Sequence, residues 1–430
     1  MSDLSTIAVI GLGYVGLPTA ALMARAGFEV FGVDVSERVV GALEAGDCPL
    51  GEREVQDIVR EALATGRLHA STTPRPADAF IICVPTPVTD EKTADVSMVR
   101  AAIRSVAPHV GRGALVILES TSPIGTTRDV IGAELSAVGL DPERDVDVCY
   151  CPERVFPGAT VREILKNDRV VGGLTPQAAA RAKALYQSFC EGVPITTTAE
   201  GAEFSKLMEN TFRDVNIGLA NVFARIAEDA GVDVREVIAL ANRHPRVNVH
   251  TPGPGVGGHC IPVDPWFLIE RFDAQADLLR TARAVNDGQA ARLLARAEAE
   301  GLTPGARVAV LGAAYRGNLD DARDSPTGHL LGALAEGGYD AVVHDSFVTD
   351  MHLAGGLTAR LTDDLAEALG GADAAIIMTD HDEYRALSPA RFEAMAGRLI
   401  ADGRGVLSQT AFARAGFTLV PVGAPVVRPS

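Results

Sequence analysis

Short apolar runs recur along the first 190 positions, each closed by glycine, proline or a few polar residues. Ile7-Ala8-Val9-Ile10, Val30-Phe31-Gly32-Val33, Ala79 to Val84, Leu115 to Leu118 and Val146 to Cys149 have strand length, and helical periodicity separates them, as in the stretch Leu17 to Gly27. From about Thr196 to Gly301 the strand signals stop. An amphipathic stretch, Gly201 to Ala230, opens this part, and its apolar Leu207, Leu219, Val222, Phe223 and Ile226 leave more than one helical face to bury. Cover by a second subunit would explain that. Strand signals resume with Arg307-Val308-Ala309-Val310-Leu311, a turn at Gly312, and Ala341-Val342-Val343-His344 ending in Asp345, which repeats the opening layout. The pattern predicts an α/β protein: a parallel-sheet domain over 1–195, a central helical domain over 196–301, and a second parallel-sheet domain over 302–430.

The first apolar run feeds Gly11-Leu12-Gly13-Tyr14-Val15-Gly16 and then a helix. In that order the glycines allow a tight turn, backbone approach to a pyrophosphate and close helix packing, while the helix N-terminus offers N–H groups to the anion. The second strand ends in Asp34, placed to accept hydrogen bonds from a ribose, and its charge repels a 2′-phosphate. These features predict a doubly wound, Rossmann-like domain that binds NAD rather than NADP. In the last domain the fingerprint is degraded, with Gly312 followed by Ala313, Ala314, Tyr315 and Arg316. That half is expected to bind something other than a dinucleotide, or nothing. Arg316, Arg323 and Arg404 fall in loops where strand ends converge, and forked guanidinium groups suit a diphosphate.

Strands of an open parallel sheet present ligands at their carboxyl ends, so Val84-Pro85-Thr86-Pro87, Glu119-Ser120-Thr121 and Cys151-Pro152-Glu153-Arg154 are expected on one edge. Composition narrows the partners. The 430 residues carry 39 basic and 56 acidic side chains, a formal charge of −17, which argues against nucleic acid or an anionic membrane. No apolar run approaches the roughly 20 residues of a membrane helix, and no charged-then-apolar leader precedes the first strand; a soluble, cytoplasmic protein is expected. The 6 cysteines form no CxxC pair, and Cys149 and Cys151 alternate with Val148 and Tyr150 as packing residues on one face of a strand. No metal site is predicted.

Gly257-Gly258-His259-Cys260, followed by Ile261-Pro262-Val263-Asp264-Pro265, presents a cysteine in a glycine-stripped turn with a carboxylate close behind. The motif fits a thiol nucleophile whose later step uses Asp264 to position water, and it equally fits a structural cysteine in a tight loop. Lys206, Asn210 and Arg213 fall at i, i+4 and i+7 on one helical face. An amine that can take a proton and an amide donor suit an alkoxide or oxyanion, although a solvated stripe has the same spacing.

Taken together, these segments resemble the UDP-glucose/GDP-mannose dehydrogenase family over essentially the whole chain. The resemblance rests on Gly11 to Gly16, Glu119-Ser120-Thr121, Cys151-Pro152-Glu153-Arg154-Val155, Lys206 with Asn210, Arg243-His244-Pro245-Arg246-Val247-Asn248, Pro252 to Cys260, Asp264-Pro265-Trp266-Phe267 and Asp320 to Pro326. The third, fifth and seventh of these resemble its acetamido-mannose branch rather than the enzymes acting on UDP-glucose.

The resemblance implies a four-electron oxidation of a sugar C6 alcohol to a carboxylate with two NAD⁺ and one water. In it Lys206 assists the hydroxyl proton, Cys260 traps the aldehyde as a thiohemiacetal that becomes a thioester, Lys206 and Asn210 steady the oxyanion, and Glu153 or Asp264 serves the water. Thr121 stands beside the nicotinamide. Gly11, Gly13, Tyr14, Val15, Gly16, Asp34, Arg38, Thr86, Thr121 and Arg323 are implied at the cofactor. Arg154, Val155, Lys206, Asn210, Arg213, Arg243, Arg246, Tyr315, Arg316 and Arg404 are implied at a UDP-sugar, with Arg246 reaching a partner subunit's site in a homodimer or larger homo-oligomer. Tyr315-Arg316 stands where the family usually has Phe-Lys. Three rival readings are the same chemistry on UDP-N-acetylglucosamine, a non-catalytic NAD-binding module, and a hydrolase built on His259, Cys260 and Asp264. The last is disfavoured because adjacent side chains in an extended loop point apart.

Overall fold

The computed structural model describes residues 4–155, 158–351 and 359–429. It contains two compact units, one of Met1–Glu209 with Trp266–Arg271 and the other of Asn210–Pro265 with Phe272–Ser430. The first holds an eight-stranded sheet formed by β1 (Thr6–Ile10), β2 (Glu29–Val33), β3 (Leu68–Ser71), β4 (Ala77–Ile82), β5 (Val110–Leu118), β6 (Asp147–Tyr150), β7 (Arg169–Gly173) and β8 (Pro194–Thr198). Their order is β3-β2-β1-β4-β5-β6-β7-β8.

Side-chain alternation divides the residues of this sheet between two apolar layers. Ile7, Val9, Ile81, Leu115, Ile117, Cys149 and Cys151 face one layer, with Leu17, Met23 and Tyr186 from helices. Ala8, Ile10, Phe80, Ile82, Val116, Leu118, Val148 and Tyr150 face the other. Cys149 in β6 and Cys151 just past its end are therefore core residues of one layer, as their alternation predicted.

The doubly wound parallel arrangement predicted from the pattern is present, with three additions. β6 is shifted by one residue from the predicted Val146 to Cys149, and β3, β7 and β8 were not read. β8 has the sequence PITTT and is exposed over its last four residues, so it is an edge strand without an apolar signature. It spans position 195, and the helix Ala199–Ala230 follows it directly. β7 pairs antiparallel with β6, Cys149 opposite Gly173 and Tyr150 opposite Gly172. An antiparallel neighbour starts where β6 ends, so Arg169, the first residue of β7, lies at the same edge as the residues following β6.

The second unit has a six-stranded parallel sheet of β9 (Arg307–Leu311), β10 (Asp340–His344), β11 (Arg360–Thr362), β12 (Ala374–Ile377), β13 (Leu399–Asp402) and β14 (Thr418–Pro421). Its order, β11-β10-β9-β12-β13-β14, repeats that of β1 to β6. One face packs on helices, including Ala224 and Ala227 of the helix Ala199–Ala230 and Val234, Leu293 and Leu330. The other packs on Tyr384, Phe392, Phe412 and Phe417.

The 32-residue helix Ala199–Ala230 buries Leu207, Ala220, Ala224 and Ala227 but exposes Phe204, Met208, Phe212, Leu219, Phe223 and Ile226 at 39% to 59%. Its apolar positions do occupy more than one face. Among the described residues, no helix is long and apolar enough to cross a membrane.

Candidate active site

The glycine turn after β1 has the dimensions that a dinucleotide requires. Gly11 has φ +91°, and a Cβ there would stand 2.7 Å from Cys83 O. A Cβ on Gly16 would stand 1.8 Å from Gly11 O, whereas one on Gly13 would meet nothing within 4 Å. Strain and close helix packing thus fix two glycines, and the third leaves an open approach for phosphate. The helix Gly16–Arg25 begins at Val15 without a side-chain cap or an acidic residue in its first turn, so its N-terminal dipole is left for an anion. Asp34, at the end of β2, accepts from Leu12 N–H at 2.8 Å and Ser36 N–H at 2.9 Å. Tyr14 is exposed, Val15 is half-buried, and Arg38 projects from the next helix into solvent. These residues fit a bound NAD.

The three predicted loops share one edge. Cys83 N–H donates to Ile10 O, Glu119 N–H to Ile82 O and Cys151 N–H to Leu118 O, so each loop begins level with its neighbours. The Thr121 carbonyl accepts from the Thr86 hydroxyl, joining two residues implied at the cofactor. Behind them lies a buried charge cluster. Arg169 donates to Glu153 Oε2 at 2.8 Å and stands 3.8 Å from Glu119 Oε1, with its guanidinium 4.6 Å from the Tyr186 ring centroid.

Glu119 also accepts from Tyr186 Oη at 2.6 Å and Cys83 Sγ at 3.3 Å. Burial drives its carboxyl above the ordinary range, opposed by Arg169. Burial likewise pushes the Cys151 thiol up to about 12, which leaves it inert as a nucleophile. Glu153 gives its other oxygen to Arg154 N–H at 2.7 Å. Arg154 itself donates to Asp168 O at 3.2 Å and pairs with Glu209, and Val155 packs on the core.

On the long helix, Lys206 is half-buried and enters no ion pair or hydrogen bond among the described residues. One turn later Asn210 Nδ2 donates to Asp264 Oδ2 at 2.6 Å, both side chains buried. Arg213, a turn further, is exposed, as are Arg243 and Arg246 in a stretch open over 241–248.

Cys260 is half-buried and in no disulfide; its carbonyl accepts from Val263 and Asp264 N–H at 3.1 and 2.9 Å, which starts the helix Asp264–Arg271. The glycines before it have an internal purpose. A Cβ on Gly257 would stand 2.7 Å from Asp324 O and from Tyr315 Cβ, and one on Gly258 3.1 Å from the Tyr315 ring. They let the cysteine loop lie on Tyr315, whose hydroxyl is pushed up by burial and then by Asp321 and Cys260.

In the last domain Arg316 and Arg323 are exposed, and Arg323 binds Asp321 through two bonds of 2.9 and 2.6 Å. Arg404 is committed to backbone, donating to Met378 O at 2.8 Å and Tyr315 O at 3.1 Å, and it fixes the loop that bears Tyr315. The degraded turn is closed to a dinucleotide in the manner of the first. Asp345 takes both Ala313 and Ala314 N–H at 2.7 and 3.0 Å, and its helix starts only at Pro326, capped by Ser325.

Periodicity missed several groups that hold the site. Asn221 Oδ1 accepts from Gly253 N–H at 2.9 Å, and Gln289 Nε2 donates to Gly253 O at 3.3 Å, so buried amides grip the cysteine loop. Glu203 accepts from Gly125 N–H at 2.5 Å and from Thr127 N–H and Oγ–H at 2.8 and 2.7 Å. A polar residue in an otherwise apolar helix stripe was the available signal. Among the described residues no cluster suited to a metal ion occurs.

Two outcomes follow from the buried charges. Arg169→Met leaves two buried carboxylates without their cation, so a loss of about 3–5 kcal/mol is expected in urea unfolding; an unchanged midpoint would deny that the cluster is ionised. Burial raises Glu203 from 4.5 to about 7. A carboxyl that binds its proton more tightly when folded stabilises the fold at acid pH and withdraws that stability as pH climbs from about 4.5 through 7. The span is roughly 3 kcal/mol. Glu203→Gln is expected to flatten this slope in melting temperature, and equal slopes in parent and variant would contradict it.

Family models match all three parts of the chain: the NAD binding domain of the UDP-glucose/GDP-mannose dehydrogenase family over residues 5–190, its central domain over 200–288 and its UDP binding domain over 309–409. The chain is 40% identical over 424 residues to a UDP-N-acetyl-D-mannosamine dehydrogenase of Methanocaldococcus jannaschii, covering 97% of this chain and 96% of that protein. It is 41% identical to an NDP-N-acetyl-D-galactosaminuronic acid dehydrogenase of Ralstonia nicotianae, covering 94% and 97%. A solved UDP-D-ManNAc dehydrogenase from Pyrococcus horikoshii superposes with a TM-score of 0.90 at 40% identity, covering 97% and 99%. A dinucleotide cradle, a glycine-rich cysteine loop and three consecutive domain matches converge on one conclusion: the chain belongs to the UDP-glucose/GDP-mannose dehydrogenase family and is an NAD-dependent nucleotide-sugar dehydrogenase.

Proposed function

We propose that the protein oxidises UDP-N-acetyl-D-mannosamine at C6 to UDP-N-acetyl-D-mannosaminuronate. The balanced reaction takes R–CH₂OH, two NAD⁺ and one water to R–COO⁻, two NADH and three protons. NAD⁺, when bound, removes two electrons and a hydrogen at each of two stages. The observation that carries the reading is the Asn210–Asp264 bond at 2.6 Å, which joins an amide one turn from the unpaired amine of Lys206 to a carboxylate four residues after Cys260. Those residue types match successive needs of this chemistry.

Lys206 takes the C6 hydroxyl proton, and its ammonium then faces the developing oxyanion together with the Asn210 amide. Cys260 adds through its sulfur to the aldehyde carbon, giving a thiohemiacetal whose carbon still bears a hydrogen that the second oxidation removes. The product is a thioester. Hydrolysis adds water oxygen to that carbon, breaks the C–S bond and returns the thiol. Asp264 serves this water, because Glu153 gives one oxygen to Arg169 and the other to Arg154 N–H and is spent on holding its loop. Asp34, Tyr14, Val15, Arg38, Thr86, Thr121 and Arg323 contact the cofactor. Arg154, Val155, Arg213, Arg243, Tyr315 and Arg316 contact the nucleotide sugar, and Arg404 supports Tyr315.

Arg246 serves the site of a second copy. The exposed stripe on the helix Ala199–Ala230 supports a homodimer, since six large apolar side chains on one helix are otherwise left in water. The protein acts in the cytoplasm, where NAD and nucleotide sugars meet. The manno configuration is supported by the names of the relatives in Methanocaldococcus jannaschii and Pyrococcus horikoshii; the Ralstonia nicotianae relative makes a galacto sugar the second reading.

Three experiments test these assignments. NADH yield is measured with UDP-N-acetylmannosamine, UDP-N-acetylglucosamine and UDP-N-acetylgalactosamine; two NADH per manno sugar are expected, and preference for another sugar would reassign the substrate. Cys260→Ser is expected to stop short of the second NADH, and full turnover in that variant would sink the thioester. Light scattering is expected to give a dimer that Phe212→Asp with Phe223→Asp dissociates, and a monomeric parent would refute the shared interface.

A further inference from the structure

We propose that Glu203 is a positioning residue, whose carboxylate ties the loop carrying Thr121 to the helix carrying Lys206 and so fixes the amine against that loop. The role deepens the reaction proposed above and rests on Lys206 taking the hydroxyl proton. Its basis is a three-point clamp. One carboxylate oxygen accepts from Gly125 N–H at 2.5 Å, and the other from Thr127 N–H at 2.8 Å and Thr127 Oγ–H at 2.7 Å. Glu203 is wholly buried, so water does not compete for these bonds.

The wide helical turn Thr127–Gly132 has no side-chain cap at Thr126. The N–H of its first residue, Thr127, and that of Gly125 just before it find their acceptor on another element, 76 to 78 residues along the chain. A local serine or aspartate caps a turn at lower entropic expense. A cap from the long helix does something more, because it makes the loop and the helix move as one body.

Lys206 follows Glu203 by three residues, hence on the same side of the helix. At the other end of the loop, Thr121 is held by the Thr86 hydroxyl, and Arg271 donates to Ile124 O. The sequence of contacts runs from Thr86 through Thr121, Gly125 and Glu203 to the turn bearing Lys206. Reaction rates fall steeply when a reacting group is displaced by an ångström, so a fixed separation between Lys206 and the Thr121 loop would be read in kcat.

The test compares the parent, Glu203→Gln, Thr127→Val and, as control, Glu200→Gln. The control loses the Arg128 pair at 2.8 Å, whose two side chains are partly open to solvent. For Glu203→Gln, kcat is expected to fall about tenfold or more, with KM for NAD⁺ and UDP-sugar within about twofold. The isotope effect with C6-dideuterated sugar is expected to rise.

Thr127→Val, which keeps the backbone donor, is expected to show a smaller shift of the same sign, and the double variant less than the product of the two. Glu200→Gln is expected to match the parent. Parent-like kcat and isotope effect in either clamp variant, or equal losses in Glu203→Gln and Glu200→Gln, overturn the role. A parent that binds NAD⁺ yet yields no NADH from any of the three sugars overturns the reaction and this role with it.

Discussion

A guanidinium sealed among carboxylates governs the working edge of the first sheet. Arg169 is only 3% exposed, Glu119 2% and Glu153 8%, and removing Arg169 leaves two carboxyl groups without their cation in a medium that does not solvate them. The cluster demands that β7 run antiparallel to β6, since only a strand starting at that edge delivers its first residue there. It also demands that Glu119, Glu153 and Tyr186 come from three separate segments. The loops that start level at this edge, bearing Thr86, Thr121 and Arg154, therefore stand on an electrostatic knot.

The two halves of the chain use one topology for opposite ends. In both, an acidic residue closes the second strand of the sheet and meets the turn after the first. Asp34 takes a single N–H from that turn and remains half-buried, with a helix starting at once behind it. Asp345 takes two N–H groups of its turn, two more from Phe347 and Val348, and His381 Nε2–H at 3.0 Å. The histidine tautomer follows from Asn318 N–H donating to Nδ1. These donors hold the Asp345 carboxyl down to about 2. An acid so fully satisfied lacks the free acceptor capacity that Asp34 keeps, and thus the second fold repeats the scaffold without repeating the open acidic site.

Much of this was legible in the sequence because it depends on local rules. The Gly11 to Gly16 turn, Asp34 and the level loop starts follow from strand, turn and helix in order, and Lys206 with Asn210 follows from helical spacing. What stayed hidden depends on distant partners. β8 carries four exposed residues and so lacks a pattern; Arg169 reads as any arginine until β7 is seen to reverse. Gly257 and Gly258 read as a glycine-stripped turn that presents Cys260, whereas the contacts that leave no room for a Cβ are Tyr315 and Asp324, about 60 positions away. Arg404 was read as a phosphate ligand from its charge, whereas two carbonyls hold it in the structure.

The long helix explains why amphipathic reasoning goes only part of the way here. Soluble helices turn their apolar stripe inward and their polar stripe to water. This one buries Glu203, Asn210, Asp214 and Asn221 and exposes Phe204, Met208, Phe212, Leu219, Phe223 and Ile226. Each of these four side chains has its own partner: Gly125 and Thr127, Asp264, Arg283 at 2.6 Å, and Asn286 at 2.9 Å. Burying polar groups is tolerable only with such pairing. Here the paired groups tie the helix to its neighbours on both sides of Lys206. The apolar stripe is the complement of that choice: with these four polar residues committed inward, the helix presents six large hydrophobic side chains outward beside the exposed Arg213 and Asp229, and such side chains gain by packing against another apolar surface.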